Sequence, residues 1–385
     1  MDAQQLTSDE YKLLRKLRHH LHQHPEVSHR ETNTAVDLAD WAREHLPSFE
    51  RQENSGDNGF LLVYHSGNSG PRVMFRAELD ALPITENNPD IGYKSSNEGV
   101  AHVCGHDGHM AMLCGLGLLA ERHLPEKGAL ALLFQPAEET GEGAAIVTEG
   151  KPFNDFKPDV VYALHNLPGE PLGQILIKPG SMCLASTGLW LHLSGKTSHA
   201  AHPFAGNSPL RVFEPLLPHL QYEKTSPLRI STLVHVQLGE PAFGTTPGNM
   251  SLALTIRAEA DEQLDELERD IVGRCQELAK TFDIALSTER TEHFSAVINN
   301  EQAVDTICRA AETLHLSTKM MHEPMRWSED VGVLLNASSG ALLCIGSGTD
   351  TPVLHHPTYD FPDKLIPIGS ALFHRILVNT IEEHS

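Results

Sequence analysis

Apolar residues follow two rhythms along this chain. Near the start, Leu13, Leu14, Leu17 and Leu21 recur at the spacing of an amphipathic helix, with Ser8 as its expected cap and Pro25 as its stop. Ala35, Leu38, Ala39 and Trp41 predict a second helix over about 33–46. Short apolar runs then take over: 61–64, 73–76, 129–134, 160–164 and 341–345 read as strands, with a helix over 110–123 between them. Unbroken apolar strands with intervening helices predict an α/β fold, a buried and largely parallel sheet with helices on both faces.

Between 182 and 292 the order changes. Strand 188–193, helix 209–220, strand 229–237, strand 251–258, helix 262–281 and strand 284–287 follow one another, the β-α-β-β-α-β order of a ferredoxin-like domain. Asp261 is the expected cap of the second helix, and Leu264, Leu267, Ile271 and Leu278 its apolar face; Pro215 and Pro218 blur the end of the first. The expected organisation is a larger domain, 1–181 and 293–385, with a smaller one, 182–292, inserted as a lid or dimerisation domain.

Composition narrows the function classes. The 385 residues suit two domains at roughly 150 residues each. A formal charge of −22 repels phosphate backbones and anionic lipid, so neither nucleic acid nor membrane is an expected partner. No run reaches a membrane-spanning length of roughly 18 apolar residues, and the polar, acidic Met1–Glu10 stretch does not read as a secretory signal. Six scattered cysteines without a C-x-x-C pair point to reduced thiols and a cytoplasmic location. Histidine, with 24 copies, is the residue whose placement decides most.

In open α/β sheets, ligands bind beyond the carboxyl ends of the strands. Beyond 73–76 stand Glu78 and Asp80, beyond 129–134 stand Glu138 and Glu139, and beyond 160–164 stand His165 and Asn166. The segment His102-Val-Cys104-Gly-His106-Asp107-Gly-His109 leads into the helix, and a loop beyond 341–345 carries His355 and His356. Singly, each has an ordinary structural explanation: a buried thiol, a core histidine, a solvated acid pair. Together they bring thiolate, imidazole and carboxylate to one edge, a donor set for zinc that also admits manganese, cobalt or nickel. The donors exceed what one tetrahedral ion needs, so two ions sharing a bridging ligand are expected, an arrangement suited to hydrolysis.

These motifs resemble the amidohydrolase branch of the di-metal aminoacylase and carboxypeptidase family, which includes hippurate hydrolases, N-acyl-amino acid amidohydrolases and hydrolases of auxin conjugates. The resemblance runs through Leu17-Arg-His-His-Leu-His22-Gln-His-Pro25-Glu26, Arg76-Ala-Glu78-Leu-Asp80-Ala-Leu-Pro83, Cys104-Gly-His106-Asp107-Gly-His109, and Gln135-Pro-Ala-Glu138-Glu139. It continues through His165-Asn-Leu-Pro168, Gly195-Lys-Thr-Ser-His199, Ser328-Glu329-Asp330 and Leu354-His355-His356-Pro357.

The resemblance implies roles. Cys104 bridges two divalent cations (zinc, manganese, nickel or cobalt), and His106, Glu139, His165 and His355 complete the ligand set, His355 rather than His356 because the family ligand stands two residues before the proline. Glu138 is the general base, Asp80 orients a ligand, and His199 stabilises the oxyanion from the inserted domain, through which a homodimer could form. The implied substrate is an N-acyl or N-aroyl amino acid; a dipeptide, another acetylated metabolite, or a catalytically silent metal-binding module are the alternatives. Two departures stand out: Glu78 occupies a usual aspartate position, and Gly244 replaces an asparagine that helps bind a substrate carboxylate in related enzymes. Arg257 is the remaining candidate for that contact.

Overall fold

The computed structural model describes residues 5–53, 58–225 and 227–383. Met1–Gln4, part of the stretch read above for a leader, lie outside them. The chain divides into two compact units: Met1–Met182 with Val297–Glu323 and Asp330–Ser385, and Cys183–Ala296 with Pro324–Glu329.

The first unit is built on an eight-stranded sheet, in the order Glu50–Glu53, Phe60–His65, Ala129–Gln135, Arg72–Glu78, Val160–Pro168, Ser339–Gly348, Ile175–Ile177, Thr318–Met320. Its centre is parallel: Arg72–Glu78 runs alongside both Ala129–Gln135 and Val160–Pro168, and Ser339–Gly348 runs alongside Val160–Pro168. The antiparallel pairs lie toward the two sides, where Phe60–His65 joins Ala129–Gln135 and Ile175–Ile177 joins Ser339–Gly348. Every residue of Ala129–Gln135 is buried, as the unbroken apolar run requires of a strand covered on both faces. Helix His106–Arg122 packs against Leu365–Glu383 and Ser8–Gln23, and helix Gly143–Glu149 against Val331–Ala337.

Several local expectations need correction. The first helix is capped by Thr7, not Ser8: Thr7 Oγ1 accepts from the Glu10 N–H while the Glu10 carboxylate accepts from the Thr7 N–H, a reciprocal pair Ser8 cannot make from inside the helix. The helix expected over 110–123 opens at His106, so His106, Asp107 and His109 lie in its first turn. Strand Val160–Pro168 does not stop before His165, because its ladder to Ser339–Gly348 continues through the pairs His165–Cys344 and Asn166–Ile345.

The second unit carries an antiparallel sheet in the order Ala285–Phe294, Ala185–Ser194, Asn249–Ala258, Leu228–Leu238, Tyr222–Thr225, the ferredoxin-like strand order with one short edge strand added. Leu264, Leu267, Ile271 and Cys275 of helix Asp261–Thr281 and Val212, Leu216 and Leu220 of helix Leu210–Leu220 share one core. Pro215 and Pro218 fall inside the latter helix on its exposed side, where the carbonyls they leave unpaired can face water. Asp261 does not cap its helix: its carboxylate instead accepts from the Ala296 N–H, pinning the strand's exit. Among the described residues, no helix is long and apolar enough to cross a membrane.

Candidate metal centre

The candidate ligands Cys104, His106, Glu139, His165 and His355 all belong to the first unit, and the fold brings them together. Ligand atoms of Cys104, His106 and His165 lie within 4.8 Å of one another, and so do those of Cys104, Glu139 and His355. A third group joins His106 to Glu138 and Glu139. Cys104 is therefore common to two overlapping sets. His356 turns away: its Nδ1 lies 2.8 Å from Thr358 Oγ1.

Each imidazole is oriented by its other nitrogen. His106 Nδ1 donates to the Asp80 carbonyl oxygen at 2.8 Å, so its buried Nε2 is the atom turned toward Glu138 at 3.8 Å and Glu139 at 3.9 Å; among the described residues no hydrogen bond satisfies it. His165 Nδ1 donates to the Asn166 carbonyl at 2.8 Å, leaving Nε2 3.5 Å from Cys104 Sγ. His355 sits in the left-handed region at φ 65°, fixed through its N–H to the Val103 carbonyl, with Nε2 3.8 Å from Glu139 Oε2. Asp80 is fully buried, accepts from Ser28 Oγ at 2.7 Å and holds the Glu139 N–H at 3.0 Å.

Electrostatics describe a pocket rich in carboxylate. Burial pushes Glu139 up to about 7. Burial by itself would lower the His106 imidazole, but Asp80, Glu78 and Glu139 outweigh it and raise the group to about 10. Burial drives His165 well below its ordinary value. A buried neutral imidazole at His165, a His106 Nε2 and a Glu139 Oε1 without a hydrogen-bond partner among the described residues, and the Cys104 thiol between them fit a divalent cation, since thiolate, imidazole and carboxylate are the donors such ions take.

Two buried polar groups that the chain's pattern did not single out support this centre. Arg76 spans Glu78, Gln135 and Asp330 beneath the strand ends. The signal was present: Arg76 and Glu78 stand two apart, hence on one face of a strand whose other residues after Arg72 are apolar. Arg18 and His22, four apart among the buried leucines of the first helix, both engage the fully buried Asp107.

The other two candidates lie in the second unit. His199 is exposed there, and its Nδ1 accepts from the Ala201 N–H at 3.1 Å. Arg257 donates to Ser328 Oγ at 2.8 Å and to the Arg326 carbonyl at 3.2 Å, so its guanidinium is engaged within its own unit.

Comparison with known proteins places this geometry in context. A family model described as Peptidase family M20/M25/M40 matches residues 74–379. Hippurate hydrolase of Campylobacter jejuni is 29% identical over 376 residues, 95% of this chain and 96% of that protein. N-acetyldiaminopimelate deacetylase of Listeria innocua is 28% identical over 375 residues, 95% of this chain and 98% of that protein. The crystal structure of the Bacillus subtilis YXEP protein, described as a dinuclear metal-binding peptidase, shares the fold with a TM-score of 0.87 at 23% identity, covering 98% of this chain and 99% of that one.

Proposed function

The chain belongs to peptidase family M20/M25/M40 and is a metal-dependent amidohydrolase, and from this premise we propose that it hydrolyses the amide bond of N-acyl amino acids at the Cys104 centre. The observation that carries the reading is the sharing of Cys104 between two ligand groups, one with His106 and His165 and one with Glu139 and His355. These five residues would hold two divalent cations from the set zinc, manganese, cobalt and nickel. When bound, such a pair supplies Lewis acidity, lowering the pKa of a water and polarising the substrate carbonyl.

The chain's own groups do the rest. Glu138 is buried beside His106 and next in sequence to a ligand, so its carboxylate can take a proton from the attacking water and pass it to the leaving nitrogen. His106 Nε2 stands 3.8 Å from that carboxylate. His199 is the proposed donor to the developing oxyanion. The names of the relatives, a hippurate hydrolase and an N-acetyldiaminopimelate deacetylase, favour benzoyl- or acetyl-amino acids over dipeptides. The inserted unit is the proposed surface for a homodimer. Six cysteines, all present as thiols, favour a reducing, cytoplasmic setting.

The test is amine release from a panel of N-acetyl and N-benzoyl amino acids and dipeptides, with enzyme reconstituted separately with each of the four metals. Glu138→Ala should retain two metals per chain and lose turnover by about 100- to 10,000-fold. Cys104→Ser should lower the metal count. Unchanged turnover in the first variant, or an unchanged count in the second, contradicts the assignment of that residue.

A further inference from the structure

The first turn of helix His106–Arg122 carries a second buried histidine that takes no part in the chemistry proposed above. His109 Nδ1 lies 2.7 Å from Glu78 Oε2, and its Nε2 lies 3.1 Å from the Asn166 nitrogen. Glu78 is fully buried, and its other oxygen meets Arg76, which also donates to Asp330 at 2.7 Å. A backbone N–H only donates, so His109 Nε2 accepts from Asn166 and the His109 proton sits on Nδ1, facing the Glu78 carboxylate.

The same residue faces His165 with its other backbone group. The Asn166 carbonyl accepts from His165 Nδ1 at 2.8 Å, which leaves Nε2 of His165 as the lone pair beside Cys104 Sγ. The two rings stand edge to face, their centroids 4.8 Å apart at 73°. A carbonyl can accept only from a protonated nitrogen, so the position of Asn166 decides which nitrogen of His165 is bare.

We infer that Glu78 and His109 are positioning residues: through the Asn166 backbone they hold the His165 imidazole with its proton on Nδ1 and Nε2 directed at the metal centre. The inference rests on the reading of His165 as a metal ligand. It also accounts for a buried Arg76–Glu78–His109 chain in a part of the core where apolar packing would have been simpler. Outer partners of metal-binding histidines act in this way, fixing tautomer and ring angle, and their loss weakens metal binding by roughly 10- to 100-fold.

The experiment uses the full chain labelled with 15N-histidine and stripped of metal, with His165 resonances assigned by their disappearance in His165→Ala. The wild type should show Nδ1 protonated and Nε2 bare. His109→Leu removes both hydrogen bonds. Glu78→Gln must set an amide NH2 against either Arg76 or the His109 Nδ1–H, donor facing donor. In both variants the His165 tautomer should become mixed, and zinc affinity, measured by chelator competition, should fall by about 10- to 100-fold. A purely structural role would lower the melting temperature and leave the tautomer untouched. Folded variants with the wild-type tautomer and zinc affinity would overturn the inference. If the variants do not fold, an Nε2-protonated His165 in the wild type overturns it just as well. Unchanged zinc binding in His165→Ala would instead remove the ligand reading itself.

Discussion

His106 Nδ1 donates to the main-chain carbonyl of Asp80 at 2.8 Å, and the Asp80 carboxylate in turn holds the Glu139 N–H at 3.0 Å. One residue just beyond strand Arg72–Glu78 thus orients a candidate ligand on a helix and the backbone of another beyond the neighbouring strand. The main chain supplies the first contact, so it survives side-chain substitution. The second depends on a carboxylate that Ser28 also anchors. The geometry of the centre is in this sense a property of strand register, which the parallel pairing of Arg72–Glu78 with Ala129–Gln135 fixes.

Gly105, immediately before His106, tolerates no side chain. Its φ is +100°, and a Cβ there would stand 2.0 Å from Asn166 Oδ1. Gly105→Ala should destabilise the protein by about 3 kcal/mol, combining left-handed backbone strain with overpacking. The Asn166 amide has no hydrogen-bond partner among the described residues, so Asn166→Ala by itself should be mild and should relieve the steric part in the double variant. Urea unfolding of the three variants measures this; equal losses for Gly105→Ala with and without Asn166→Ala would show that the clash is not the cause.

Arg18 joins three segments that carry the centre. Its guanidinium donates to Asp360 at 2.9 Å and to the Phe361 carbonyl at 2.5 Å, and it stands 3.6 Å from the buried Asp107 next to His106. Arg18→Met should cost about 3–5 kcal/mol, because Asp107 is left with His22 as its compensating cation in a fully buried setting. Denaturant midpoints of the metal-free protein test it. A loss below about 1 kcal/mol, the scale of an exposed pair, would mean that Asp107 relaxes into water.

His374 gives the fold a pH dependence independent of the metal centre. Burial, with His123, Arg375 and Arg122 nearby, lowers its imidazole to about 4. The unfolded chain titrates this group near its ordinary value of 6.5. Between those values the folded state binds fewer protons, so stability is full above about pH 6.5 and falls as pH drops, by about 3 kcal/mol at pH 4. His374→Phe keeps a ring and removes the titration. Comparing unfolding free energies of metal-free protein at pH 7 and pH 5, the wild type should lose about 2 kcal/mol more than the variant. Parallel losses would assign the acid sensitivity to other groups.

Periodicity determined much of this protein by itself. Apolar runs placed the central strands, the helical stripe placed Ser8–Gln23, and the β-α-β-β-α-β order predicted the antiparallel sheet of the second unit. It also put thiol, imidazole and carboxylate at the ends of those strands, because side-chain direction along a strand or helix is a local property of the backbone. Most of what lay beyond it was set by partners distant in the chain. Thr7 displaced Ser8 as a cap by a local competition that periodicity does not resolve. Asp261 left its helix for the Ala296 N–H, and strand Val160–Pro168 ran on through His165 because Ser339–Gly348 was there to pair with it. Above all, the orientation of His106 and His109 was decided by Asp80 and Glu78 only after folding brought them together, since the hydrogen bonds around a ring follow from its neighbours in space and not from the residue that carries it.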